Sequence, residues 1–172
     1  MKPLIPTGEM TLGPFFPREF GQGANDLTQL DGVAADGEVI ELTGRVVQGD
    51  GRPVDNLILE IWQADAKGRY DNPAFLGWGR AATDAQGEYR FRTIMPGAPA
   101  GRAPHVNFCL LYSGLMRQLQ TVMFFSDAAD PVLDAVRPAD RKELLIAKAE
   151  RKSAVRFDIR LRGGEETPFF DD

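Results

Sequence analysis

Val155-Arg156-Phe157-Asp158-Ile159-Arg160-Leu161 alternates strictly, with Val155, Phe157, Ile159 and Leu161 on one side and Arg156, Asp158 and Arg160 on the other. That period of two belongs to extended chain, whose successive side chains leave on opposite faces. The apolar row predicts a face on a core, and the charged row a face in water. The same period recurs upstream and decides the fold class. From residue 38, Val39, Leu42, Val46 and Val47 lie in a strand-like run that ends at Gly49-Asp50-Gly51, a hairpin-type turn. Leu57 to Trp62 sets Leu57, Leu59 and Ile61 against Ile58, Glu60 and Trp62, and Glu88 to Thr93 sets Tyr89 and Phe91 against Arg90 and Arg92. His105 to Tyr112 and Leu119 to Phe125 are two more apolar runs around Ser113-Gly114.

Helix signals are scarce. Asp130-Pro131 is an N-cap and N1 pair for a short turn through Val136. Pro138 to Glu143 begins another, and Leu144-Leu145-Ile146-Ala147 fits strand or helix equally. Residues 1 to about 37 read as an irregular arm, because Pro3, Pro6, Pro14 and Pro17 alternate with Gly8, Gly13, Gly21 and Gly23. Inside it, Gly13-Pro14-Phe15-Phe16-Pro17 is rigid and apolar, a piece to be buried against something. The expected fold is all-β, an antiparallel β-sandwich over residues 38–172, preceded by an irregular N-terminal arm (1–37) and interrupted by short helical turns. There is no internal repeat and no linker.

Composition narrows the function. A chain of 172 residues suits one core, and 43% hydrophobic with 26% charged residues is a globular profile. A net charge of −5 argues against a nucleic-acid partner, which calls for a basic stripe. Met1-Lys2-Pro3-Leu4-Ile5-Pro6 has a charge but no apolar run, so neither export nor a membrane partner is expected. With Cys109 the single cysteine, a reducing cytoplasm is the expected compartment. Zinc or ferrous sites want two or three histidines or several cysteines, and His105 with Cys109 cannot supply them. Ser-His-Asp catalysis stays open on counting alone, but no Gly-x-Ser-x-Gly elbow supports it.

The densest run of unusual residues is Ile61-Trp62-Gln63-Ala64-Asp65-Ala66-Lys67-Gly68-Arg69-Tyr70-Asp71-Asn72-Pro73. On composition alone it is a polar loop pinned by aromatics. A second loop, Gly77-Trp78-Gly79-Arg80, leads on to Thr83-Asp84-Ala85-Gln86-Gly87. A lone His105 at a strand start is compatible with a structural role as well as a functional one. Cys109 reads as a buried small hydrophobe. Asp134, Asp140 and Glu143 read as solvated helix surface, and Phe169-Phe170 in the acidic tail as a dock on the core or a partner.

In their order along the chain, several runs resemble the intradiol ring-cleavage dioxygenases. They are Thr11-Leu12-Gly13-Pro14-Phe15-Phe16, Glu60-Ile61-Trp62-Gln63-Ala64-Asp65-Ala66, Phe91-Arg92-Thr93-Ile94 with Pro96-Gly97, Ala103-Pro104-His105-Val106-Asn107, Pro138-Ala139-Asp140-Arg141, Arg156-Phe157-Asp158-Ile159-Arg160-Leu161, and the tail Gly164-Glu165-Glu166-Thr167-Pro168-Phe169-Phe170-Asp171. The likeness is strongest to the α-type subunits of the two-chain, protocatechuate-cleaving members. The resemblance implies ferric iron held by two tyrosines and two histidines, a hard anionic donor set suited to a hard trivalent ion. The first Tyr position is Tyr70 and the first His is His105. The second His falls on Asn107, and the second Tyr falls near Pro99, in a Gly97-to-Arg102 loop that has none. The family's arginine is matched by Arg102.

With two ligand positions lost, Tyr70, His105, Asn107 and Arg102 read as remnants of a duplicated site. No catalytic set is complete in this chain, and the resemblance places Fe(III) in a partner β subunit. Thr11, Gly13, Pro14 and Phe15 would then line that partner's pocket, where protocatechuate and O2 give 3-carboxy-cis,cis-muconate. Two positions depart from the pattern: Phe15 stands where Tyr is common, and Val122 where an arginine near the substrate carboxylate is common, with Arg117 nearby in sequence. Two other readings stay open: a free-standing enzyme on another catechol, and a non-catalytic binding or scaffold module of the same descent.

Overall fold

In the computed structural model, which describes residues 17–170, the strands are β1 (Gln29–Leu30), β2 (Val33–Ala34), β3 (Val39–Val47), β4 (Ile58–Gln63), β5 (Trp78–Ala82), β6 (Glu88–Ile94), β7 (His105–Leu111), β8 (Leu119–Phe124), β9 (Lys148–Arg151), β10 (Ala154–Arg156) and β11 (Ile159–Arg160). They build two facing sheets, as the alternation predicts. One runs β5-β4-β7-β8 and is antiparallel throughout. The other centres on β3, which pairs antiparallel with β6 on one edge and carries β10 and β11 on the other, with β9 outside β10.

Leu42 and Val46 of β3, Phe91 of β6, Leu59 and Ile61 of β4, and Val106, Phe108 and Leu110 of β7 fill the space between the sheets. A smaller apolar cluster lies on the outer face of the β5-β4-β7-β8 sheet. There Val122 and Phe124 of β8 meet Leu133 and Val136, from the helix α1 (Pro131–Ala135) and its end, and Leu145, from a 3-10 turn over Ala139–Leu145. Asp130 caps α1 as expected, accepting from Val132 N at 2.8 Å.

The Val155–Leu161 alternation survives in burial, with Phe157 and Ile159 buried and Asp158 exposed, but the strand is split. Asp158 Oδ1 takes the amide of Arg45 at 2.9 Å, a ladder donor that a backbone carbonyl would otherwise hold. Both halves run parallel to β3, whereas the other named strands pair antiparallel. At the break, β3 comes so close that a Cβ on Gly44 would lie 1.9 Å from the Phe157 carbonyl oxygen, which also accepts the Tyr89 hydroxyl at 2.5 Å.

Several expectations are corrected. The Gly49-Asp50-Gly51 turn forms, with Gly51 N donating to Gln48 O at 2.9 Å, but it does not join β3 to β4. Pairing ends just past the Val47–Pro53 bridge: Val54 N still donates to Val46 O at 3.1 Å, but Val46 N donates to Gly87 O at 2.8 Å instead of returning the bond, and the chain crosses to the other sheet. Gly77 to Arg80 is not a loop: Trp78–Ala82 is β5, paired along β4. Its inward positions, Gly79 and Ala81, are small, so the period of two is invisible to hydrophobicity. β9 is exposed at every residue and carries no alternation. Within residues 17–37, a 3-10 turn spans Arg18–Gly21, and β1 and β2 form a hairpin across Asp31-Gly32, both at positive φ. Among the described residues no helix is long and apolar enough to cross a membrane.

Candidate functional site

The outer face of the β5-β4-β7-β8 sheet gathers the residues singled out above. Trp78, Trp62, Asn107 and Val122 are successive cross-strand neighbours, and His105 pairs with Phe124 one step along. Trp62 is open to solvent, while Val122 is covered by the smaller apolar cluster.

Tyr70 reaches this face from the loop after β4, and Asp65 builds that loop. Its carboxylate, 4% exposed, accepts the amides of Lys67 and Arg69 at 2.9 Å each, Asn72 Nδ2 at 2.8 Å and the Arg69 guanidinium at 3.1 Å. Burial pushes this carboxyl up, but the hydrogen bonds from Arg69, Asn72 and Lys67 outweigh it and hold the pKa at about 2. Gly68, at φ +77°, lets the loop lie against the next one: a Cβ there would be 2.2 Å from Ala98 O. Gly97 N completes the junction by donating to Asp65 O at 2.9 Å. Pro99, where the resemblance places a second phenolate, sits in this paired-loop unit.

Tyr70 Oη lies 3.2 Å from His105 Nε2, and His105 Nδ1 lies 2.7 Å from Ala103 O. A carbonyl only accepts, so Nδ1 carries the proton and Nε2 accepts from the tyrosine hydroxyl. Burial lowers the His105 pKa below the usual histidine value, the Ala103 carbonyl opposes this, and the Arg102 charge adds to it. Burial raises the Tyr70 pKa, against a hydrogen bond from Asn107 and the Arg102 charge. The pair is thus a neutral imidazole and a protonated phenol. Asn107 directs its Nδ2 at Trp62 O, 3.3 Å away.

Arg102 is occupied elsewhere. Its Nε donates to Asp130 Oδ2 at 2.7 Å, and the amide of Ala103 reaches the same oxygen at 2.9 Å. Burial pushes the Asp130 carboxyl up, and these bonds together with that from Val132 N bring it below its ordinary value. One buried carboxylate therefore fixes Arg102, the strand entry at Ala103 and the start of α1.

Tyr70, Arg102, His105 and Asn107 therefore meet in space, whereas Thr11, Gly13, Pro14 and Phe15 lie outside the described residues. Cys109 is not in the core but half-buried on the outer face between Glu60 and Gln120, because β7 turns Phe108 and Leu110 inward. Asp134, Asp140 and Glu143 are exposed, and Phe169 and Phe170 dock on the chain's own two apolar clusters. Sequence reasoning missed Asp65 and the tie from Asp130 to Arg102. The first had a local signal, an Asp followed at two and four residues by amides it captures. The second joins residues 28 positions apart and had none.

Tyr70 Oη and His105 Nε2 are near enough to face one ion, but the donor set does not fit ferric iron. It offers one neutral imidazole, one phenol held protonated and one amide, with the Arg102 charge close by, where a trivalent ion wants several anionic oxygens.

A family model described as Dioxygenase matches residues 11–163. The protocatechuate 3,4-dioxygenase alpha chain of Burkholderia cepacia is 36% identical to this chain, covering 99% of it and 100% of its own length. The beta chain from Burkholderia cepacia is also 36% identical, covering 97% of this chain and 85% of its own. Among solved structures, the dioxygenase domain of a dioxygenase carbohydrate-binding protein fusion from Streptomyces sp. SirexAA-E superposes with a TM-score of 0.64 at 25% identity, over 93% of this chain and 100% of that one.

Proposed function

The chain belongs to the intradiol ring-cleavage dioxygenase family, and on that premise we propose that it is the non-iron α subunit of a protocatechuate 3,4-dioxygenase. The observation that carries this reading is the donor set on the outer sheet face. Tyr70 and His105 hydrogen-bond to each other, Asn107 brings an amide, and Arg102 is locked to Asp130. Such a site supports a role beside a catalytic centre, not as one. The alpha and beta chains of Burkholderia cepacia match equally in identity, so identity does not separate the two roles, whereas fuller coverage of the alpha chain's length favours that one.

In this reading a β subunit holds Fe(III), and the assembly works in the cytoplasm on protocatechuate and O2, giving 3-carboxy-cis,cis-muconate. Thr11, Gly13, Pro14 and Phe15 line the partner's pocket, where a proline-stiffened segment loses little entropy on ordering. Tyr70, His105, Asn107 and Arg102 hold the loops of the former ligand positions together.

Purifying the chain alone and with its co-expressed partner tests this. The lone chain should carry no stoichiometric iron and no tyrosinate absorption in the visible. The pair should be coloured and consume oxygen with protocatechuate. Stoichiometric iron and colour in the lone chain would overturn the proposal, and failure to bind any iron-bearing partner would favour a scaffold role.

A further inference from the structure

A cavity of about 420 Å³ opens where the strand breaks between β10 and β11, a volume within the roughly 300–1,000 Å³ of small-molecule sites. Its walls are pinned by the fold itself. On one side Ile146 bridges to Phe124 of β8, and Ala147 N donates to Phe124 O at 2.8 Å. On the other, Thr167 N donates to Arg160 O at 3.0 Å, and the Thr167 hydroxyl accepts from Arg160 N at 3.0 Å. Val47, Leu144 and Ile146, each half-buried, give the cavity apolar surface that a bare hydrated ion would not use.

Four cations and three carboxylates line the same cavity, and their pairing is uneven. Asp158 Oδ1 holds the Arg45 amide and Arg156 Nε, each at 2.9 Å, and Glu88 takes the outer nitrogens of Arg156 at 3.1 and 3.2 Å. Glu143 is exposed, and Glu165, 77% exposed, stands 3.7 Å from Arg160 Nη2, so both carboxylates are solvated. Arg45 spends only Nε of its guanidinium among the described residues, on Gln86 O at 2.7 Å. The Lys148 ammonium has no ion pair among the described residues. Because β10 lies between β3 and β9, these two cations flank the strand break, two strand spacings or roughly 10 Å apart at the backbone.

We infer that this cavity binds a small dicarboxylate with an apolar body. One carboxylate takes the outer nitrogens of Arg45, whose planar fork matches it, and the other takes Lys148. The body between them lies against Val47, Leu144 and Ile146. The site uses neither Tyr70 nor His105, and it stands or falls independently of the α-subunit reading.

The test is isothermal titration calorimetry of the full chain with benzene-1,3-dicarboxylate at low salt, where saturable binding is expected. Arg45→Gln and Lys148→Gln should each weaken it about tenfold. Benzoate, with one carboxylate, should bind the parent about tenfold more weakly than the dicarboxylate. Lys152→Gln, which removes a charge in the turn between β9 and β10 and outside the cavity, should leave affinity within about twofold. No saturation below ~10 mM would overturn the inference. Equal losses in Lys152→Gln and the cavity variants would do the same, since they would mean unspecific attraction to positive surface. Inorganic phosphate binding as tightly as the dicarboxylate would overturn the ligand class. If Arg45→Gln disturbs the fold, Lys148→Gln, on a strand exposed at every residue, decides the matter, and an affinity unchanged from the parent there sinks the site.

Discussion

Asp65 decides where Tyr70 sits, because its carboxylate holds Lys67 and Arg69 before Tyr70 and Asn72 after it. Its folded pKa of about 2 lies below the ordinary 3.8. Between these values the unfolded chain binds the extra proton, so the stabilisation is complete above pH 3.8 and is lost as pH falls toward about 2. Asp65→Asn is expected to remove about 2 kcal/mol at neutral pH and to flatten that acid limb, as urea unfolding at stepped pH will show. Asp130 is the second such residue. Asp130→Ala strips Arg102, the Ala103 amide and the first turn of α1 of one shared acceptor, and should cost about 3 kcal/mol in the same assay. Asp130→Asn, which keeps an acceptor oxygen for the cap, should cost less. Legibility followed the same divide. Tyr70, His105 and Asn107 could be aligned from local runs of sequence, whereas the carboxylate that ties down Arg102 lies 28 positions away.

Among the elements, strands announced themselves where large apolar residues occupy one face, as in β3, β4, β6, β7 and β8. They were silent where the inward residues are small or absent. β5 hides its period behind Gly79 and Ala81, and β9 buries nothing. The split between β10 and β11 was also unreadable, because it depends on Asp158 capturing an amide from a strand far upstream. At that junction β3 runs close against the chain between β10 and β11. In Gly44→Ala the new methyl would lie 1.9 Å from Phe157 O and 2.6 Å from the Tyr89 hydroxyl, so backbone must move. A loss of about 3 kcal/mol is expected in denaturant unfolding. Tyr89→Phe, which removes one buried hydrogen bond without adding bulk, should lose about 1–2 kcal/mol.

At the level of the whole molecule, the sheet edges are closed by segments outside the main strands. Ala24 covers β5, residues 25–27 cover β6, Phe170 and Ile146 cover β8, and Thr167 exchanges hydrogen bonds with Arg160 of β11. β9 is the edge with no strand recorded beyond it among the described residues, and Lys148, Glu150 and Arg151 guard it with charge. The pair Lys148→Val and Glu150→Val should leave the fold intact and produce concentration-dependent self-association, read by light scattering after gel filtration. A variant that stays as monodisperse as the parent would show that charge is not what protects this edge.

The pairing of β3 with the segment after β9 has a consequence for how the protein is made. Thr43 and Val155 are bonded across 112 positions of sequence. On a ribosome, β3 emerges early and must wait across those 112 positions before its second neighbour arrives, and β8 waits over a shorter stretch for Phe170. Throughout that interval two apolar ladders present open donors and acceptors to their surroundings, the condition in which nascent β proteins misassociate. Residues 154–170 are therefore those that end the hazard, so chains stalled or clipped before them are the forms for which chaperones and proteases should compete.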